Sequence, residues 1–312
     1  GTLAVPSGTV MPIKLAFSTV ACPEWTLDRV ALAAQRLGFA SVELRTFGVD
    51  SRYFACDPAL TDAAKVRRLF AEAGVSICSL ATDITFDAPV KPPVIGHLIA
   101  DQECAVRAAQ RAVDIAAGIE CPLVRVFGFR LPQSEETGRK RSAGVARVCD
   151  RLGKVLDHAA KTGVRIAFEN GGSFATSAQV EEVLAHFRSP LLVASYNIAA
   201  AQLAGESPTE GATRLCAAGP GALGLLRVKD LKDGRPVVIG TGEIAVRDAV
   251  VAAARVTGAG QVPVVFEWDR AWVPDIGEPE FALDHAARTL WQWTSAAAPA
   301  SAARAPIPAS AY

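Results

Sequence analysis

Neither sign of charge is in excess: 32 basic residues balance 32 acidic ones. No net field therefore draws the chain to nucleic acid or to an anionic membrane. Long apolar runs are missing too; none reaches the roughly 18 residues that a spanning helix needs. The seven cysteines (22, 56, 78, 104, 121, 149 and 216) include no C-x-x-C pair, which argues against a disulfide framework or a thiolate zinc site. Several sit in apolar runs such as Ser76-Ile77-Cys78-Ser79-Leu80, where cysteine is a small core residue. A reducing, cytoplasmic setting is the expectation. Histidine is scarce, with four in all, and methionine occurs once, at Met11.

That single methionine opens Met11-Pro12-Ile13-Lys14-Leu15, so the native start is expected there, with residues 1–10 upstream or vector-derived. The first ten residues lack the basic and apolar regions of a signal peptide, and a removed export signal is the alternative. Residues 1–12 are expected to be an N-terminal extension, 13–293 a single domain, and 294–312 an Ala/Pro-rich tail outside the core.

What is present is a regular alternation. Short β-prone runs are expected over residues 13–19, 40–45, 75–81, 123–127, 164–168, 191–196, 223–229 and 262–268. A helical stretch follows each, near residues 26–38, 61–73, 100–117, 135–162, 177–187, 208–217, 245–256 and 279–293. Eight βα units, with Gly38, Gly74 and Gly163 closing helices, favour a closed (β/α)8 TIM barrel over an open doubly wound sheet. Cys22-Pro23-Glu24 occupies the first β–α turn, where a dinucleotide fold would carry glycines. In a barrel, function belongs at the C-terminal strand ends.

Strand alternation then sorts the side chains. Val164, Ile166 and Phe168 face outward and Glu169 faces the mouth. The same rule turns Glu43, Arg45, Arg227, Lys229 and Glu267 inward, and Arg125 sits in the fourth strand. Glu43 with Arg45, or Arg125, reads equally well as a buried structural ion pair. Two acids ending separate strands, Glu169 and Glu267, demand a pairing cation. Trp25, Trp268 and Trp272 could form an apolar wall for a sugar face or simply pack their loops.

These motifs resemble a known family. Phe17-Ser18-Thr19-Val20-Ala21-Cys22-Pro23-Glu24-Trp25 is similar to the F-S-T-x-x-C-P-x-W opening of the xylose-isomerase-like sugar-phosphate isomerases and epimerases. Val42-Glu43-Leu44-Arg45 and Val124-Arg125-Val126-Phe127-Gly128 resemble their second and fourth strands. Lys229-Asp230 with Gly240-Thr241-Gly242-Glu243, and Phe266-Glu267-Trp268 with Trp272, Pro274 and Glu278-Pro279-Glu280, resemble their last two units. The likeness runs over about residues 13–293. It implies a TIM barrel and metal-assisted isomerisation or epimerisation of sugars and related polyols.

The family holds its metal with Glu, Asp, His and Glu at the ends of strands five to eight. Carried over, the glutamates fall on Glu169 and Glu267, the aspartate on Asn197 and the strand-seven histidine on Arg227. Two further family histidines fall on Ala200 and Gly171. His158, His186 and His285 lie in predicted helices, and His97 in the loop after strand three. A guanidinium offers only donors, so Arg227 is expected to replace the metal cation, with no cofactor favoured. Glu169, Asn197 and Glu267 remain the residues for weak Mg²⁺ or Mn²⁺ binding.

The resemblance implies that Glu169 and Glu267 act as acid and base on a small polyhydroxy carbonyl compound. Arg227, Lys229, Asn197, Glu43, Arg45, Arg125, Trp25 and Trp268 would then bind the substrate. An inactive sugar-binding or regulatory barrel and a lyase or dehydratase are the alternatives. The partner is expected to be a small sugar-like molecule, neither nucleic acid nor membrane, and homo-oligomerisation stays open. Abasic-DNA cleavage, known in relatives, needs metal-binding histidines and a basic groove that the sequence does not show.

Overall fold

Barrel strands are covered by helices outside and by each other's side chains inside, so they carry apolar residues on both faces except at the mouth. The computed structural model describes residues 13–48, 51–88, 103–257 and 262–295. In it the strands β1 (Lys14–Ser18), β2 (Ser41–Arg45), β3 (Ser76–Thr85), β4 (Leu123–Phe127), β5 (Arg165–Glu169), β6 (Leu192–Asn197), β7 (Leu223–Val228) and β10 (Pro263–Phe266) close into one parallel barrel. Around the ring the order is β1, β10, β7, β6, β5, β4, β3, β2. The (β/α)8 expectation holds.

The helices form the outer layer: α1 (Leu27–Leu37), α2 (Ala63–Ala73), α3 (Cys104–Gly118), α4 (Gly138–Ala159), α5 (Ser177–Phe187), α6 (Ile198–Leu203), α7 (Pro208–Ala217), α8 (Val246–Thr257) and α9 (Pro279–Ser295). Gly38 and Gly74 close α1 and α2 with φ of 80° and 65°, the left-handed cap that glycine adopts without a Cβ clash. Two boundaries shift because local side chains choose them. Asp62, not Thr61, caps α2 by accepting from Lys65 N at 3.0 Å, and a 3₁₀ turn at Gln133–Glu135 delays α4 to Gly138.

The segment after β7 was expected to be a loop and is a hairpin, β8 (Asp230–Lys232) paired antiparallel with β9 (Arg235–Val237). Its turn is Asp233-Gly234, with φ of 50° and 73°. An Asp-Gly turn of this hand is a two-residue hairpin signal legible in the sequence.

Alternation along the strands builds two interior layers. Ala16, Leu123, Ala167, Val193, Leu225 and Val265, with Cys78, form an apolar floor inside the barrel. Two residues further along those strands stand Ser18, Arg125, Glu169, Ser195, Arg227 and Glu267, all buried and all polar. The small serines among them leave room for a long guanidinium. Val164, Ile166 and Phe168 face the helices in the outer core, where full burial of each contributes about 2–3 kcal/mol.

Candidate functional site

Two cavities mark the ends of the barrel. One of about 350 Å³ opens at the N-terminal strand ends, beside Lys14, Leu123, Arg165 and Pro263, and it holds no acid–base pair. The other, about 260 Å³, lies at the C-terminal ends, lined by Arg45, Arg125, Phe127, Phe129, Glu267 and Trp272. The second sits where a TIM barrel places its chemistry, and the charged strand ends converge there.

Arg227 organises those charges. Its side chain is fully enclosed and bonds to Glu43, while Nη2 donates to Glu267 Oε1 at 2.5 Å. Nε stands 3.0 Å from Glu169 Oε2, close enough for an ion pair though not aligned for a hydrogen bond. Burial works against the charge, but Glu169, Glu267 and Glu43 outweigh it and hold the guanidinium well above its ordinary pKa. A planar fork meets the three carboxylates through three separate nitrogens, where a lysine ammonium would have only one.

The partners are engaged in turn. Glu169 Oε2 accepts from Arg125 Nη1 at 3.1 Å and Ser195 Oγ at 3.2 Å, and Oε1 accepts from Asn197 Nδ2 at 3.2 Å. Arg125 also donates to Thr82 O at 3.0 Å. For Glu267, burial raises the pKa, yet Arg227 and Lys229 override it and bring the carboxyl down to about 2. Its Oε2 is the freer oxygen, with Asn197 Nδ2 at 3.5 Å and Lys229 Nζ at 4.0 Å.

Asn197 is oriented by both of its ends. The carbonyl Oδ1 accepts from Ala200 N at 3.1 Å and so caps α6, which turns the amide nitrogen toward the two glutamates. Asn170, missed in the sequence, clamps the same strand end: it accepts from Asn197 N at 2.6 Å and donates to Asn197 O at 3.0 Å. Asp269, also missed, accepts from Lys229 Nζ at 2.8 Å. Burial and the nearby Glu267 raise its carboxyl despite Lys229, and the two acids together keep the Lys229 ammonium above its usual value against burial. Its position two residues after Glu267 was the available signal.

Glu43 and Arg45 are not partners. Glu43 faces Arg227, whereas Arg45 has no carboxylate partner among the described residues and lies 5.7 Å from the Trp272 ring centre. Desolvation, then repulsion from Arg125, pushes its pKa down to about 10. The expected aromatic wall is only partly assembled. Trp272 lines the cavity, but Trp25 is buried in the outer core beneath Arg29, and Trp268 is buried with Nε1 donating to Gly277 O at 3.3 Å. Phe127 and Phe129, in edge contact at 5.6 Å, complete the apolar side. His158 bonds to Asp114, His285 faces Ile239 O and His186 packs edge-on to Phe187, while His97 lies outside the described residues.

The Lys229-Asp230 motif divides into two tasks. Lys229 belongs to the mouth. Asp230 is buried and accepts from the backbone N–H groups of Leu231, Gly240, Gly242 and Ile244 at 2.9–3.1 Å. A Cβ at Gly242 would stand 2.2 Å from Asp230 Oδ1, so the glycine is needed for this close approach.

Comparison with known proteins fits the fold. The family profile described as xylose isomerase-like TIM barrel matches residues 31–292. The chain belongs to that family. The xylose isomerase-like barrel resembles IolI protein with a bound zinc atom at 17% identity and a TM-score of 0.69, over 91% of this chain and 99% of that one. It resembles L-ribulose 3-epimerase at 15% identity and 0.71, over 91% and 95%. It also resembles the probable 3-DHS dehydratase AsbF from Bacillus anthracis at 14% and 0.67, over 89% and 98%. No curated protein sequence matches it.

A divalent ion does not fit the donor set. Glu169 and one oxygen of Glu267 already serve guanidinium and amide donors, and Asn197 presents its donor Nδ2 to the glutamates while its Oδ1 accepts from Ala200 N. Arg227 fills the space with positive charge. Among the described residues, no group of three His, Cys, Asp or Glu side chains is arranged to hold a metal. No helix among them is long and apolar enough to cross a membrane.

Proposed function

We propose that this xylose isomerase-like barrel binds a small polyhydroxy compound at its mouth without a metal, and that binding rather than isomerisation is its task. The observation that carries the reading is the enclosed Arg227 held by Glu43, Glu169 and Glu267. Abstracting a proton from carbon is most efficient with a carboxylate whose pKa lies near the working pH. Glu267 at about 2 is a weak base, and Glu169 is occupied by Arg125, Ser195 and Asn197 in addition to Arg227. In this reading the pair expected to act as acid and base serves as a preformed polar floor. It leaves Glu267 Oε2 to accept from ligand hydroxyls, and Trp272, Phe127 and Phe129 to pack against carbon.

A second reading, metal-independent epimerisation, is favoured by Glu267 facing the cavity beside the Lys229–Asp269 pair. The dehydratase alternative draws only on the likeness to AsbF. Incubation with L-ribulose or D-allulose in D₂O separates these readings. The binding reading expects no deuterium at the carbon beside the carbonyl and no new isomer by NMR. Solvent exchange that disappears in Glu267→Gln would establish catalysis, and a dehydrated product would establish the lyase.

A further inference from the structure

Four buried or largely buried cations stand at the mouth, and three of them are matched. Arg227 and Arg125 share Glu43, Glu169 and Glu267, while Lys229 pairs with Asp269. Arg45 is the fourth. It is 7% exposed and lines the cavity, yet its Nε and Nη1 are enclosed with no hydrogen-bond acceptor among the described residues. A guanidinium that has lost water at two nitrogens and gained only the face of the Trp272 ring, with no carboxylate bonded to it, is costly. Arg125 lines the same cavity, so two like charges face one space. Among the described residues, the opposing charges that line it are Asp83, which is exposed, and Glu267, whose Oε1 is committed to Arg227.

We infer that the cavity receives a small polyhydroxy monocarboxylate, with its carboxylate on Arg45, its hydroxyls toward Glu267 Oε2 and its carbon chain against Trp272. This rests on the ligand-binding function proposed above and adds the class of ligand. A carboxylate suits Arg45 Nη2, the guanidinium nitrogen that is not enclosed, through a charge-assisted hydrogen bond. Charge favours it over phosphate. Among the described residues, Glu43, Glu169, Glu267, Asp269 and the exposed Asp83 stand against Arg45, Arg125, Arg227 and Lys229, so the mouth has no surplus of positive charge and a phosphate dianion adds nearly twice the uncompensated charge of a monocarboxylate. The volume of about 260 Å³ belongs at the small end of ligand sites, which excludes nucleotides and oligosaccharides.

The test is calorimetric titration and thermal shift of the full chain with D-erythronate and D-gluconate, set against erythritol and sorbitol, butyrate, and erythrose 4-phosphate. The aldonates should bind at least about tenfold more tightly than the neutral polyols, the usual scale of a hydrogen bond to a charged group. Arg45→Met should abolish that preference while remaining at least as stable as the parent without ligand, since it removes an uncompensated buried charge. Arg45→Gln, which keeps a donor but no charge, guards against a packing defect and should behave alike. Polyols binding as well as aldonates would overturn the carboxylate assignment and leave the ligand-binding reading intact. Butyrate binding as well as erythronate would keep the anion site but overturn the polyhydroxy ligand. Tighter binding of erythrose 4-phosphate would move the class to phosphates, and no binding by any probe would overturn both proposals.

Discussion

Replacing Arg227 by methionine keeps most of the side-chain volume and removes the cation that Glu43, Glu169 and Glu267 share. Removing one partner of a buried ion pair costs about 3–5 kcal/mol, because the remaining charge stays desolvated. For a chain of this length that is a fall in Tm on the order of 10 °C. The pH dependence should also reverse. In the parent, Glu267 is held at about 2 against an ordinary 4.5. That depressed value contributes roughly 3 kcal/mol of stability, present above the ordinary carboxylate range and lost as pH falls toward 2. In the variant, three buried carboxylates are left with Arg125 and the already paired Lys229, so one of them should take up a proton and stability should fall as pH rises through and above that range. Thermal unfolding from about pH 4 to about pH 8 reads both limbs. Mn²⁺ gives an independent check, since it should stabilise Arg227→Met, whose carboxylates lack their cation, and leave the parent unmoved. Equal stability with parallel pH profiles, or equal stabilisation of both proteins by Mn²⁺, would refute the cation-substitution argument.

Two further outcomes separate structural residues from ligand-facing ones. Asp230→Ala strands four backbone N–H groups, so it should cost about 2–4 kcal/mol and speed amide exchange at Gly240, Gly242 and Ile244, measured by hydrogen exchange. Trp25→Ala should cost about 3–5 kcal/mol through its lost core packing. Trp272→Ala, at a residue 56% exposed, should change stability by no more than about 0.5 kcal/mol. It should nevertheless weaken aldonate binding, as read by titration.

The barrel and its inward set were legible in the sequence because both rest on local periodicity. Period-two alternation puts residues 167, 169, 225, 227, 265 and 267 on one face whatever the strands pair with, and the same rule keeps Ile166 and Phe168 outside. The turn residues Gly38 and Gly74 likewise act through their own dihedrals. The Asp233-Gly234 hairpin is just as local, since its turn rests on the dihedrals of two adjacent residues.

What periodicity cannot supply is the choice of partner. Glu43 and Arg45 share a strand face two residues apart, yet Glu43 meets Arg227, 184 residues away, and Arg45 meets no acid among the described residues. Asn197 looked like an oxygen donor for a metal, until the start of α6 claimed its carbonyl and turned its amide inward. Trp25 and Trp272 have the same side chain, and only the packing of their loops sends one into the core and the other to the cavity. The sequence by itself determined which residues face the mouth, since that depends on the pleat of each strand. Closure of the ring decided which charges pair, because ion pairing depends on distances across the barrel that no single segment contains.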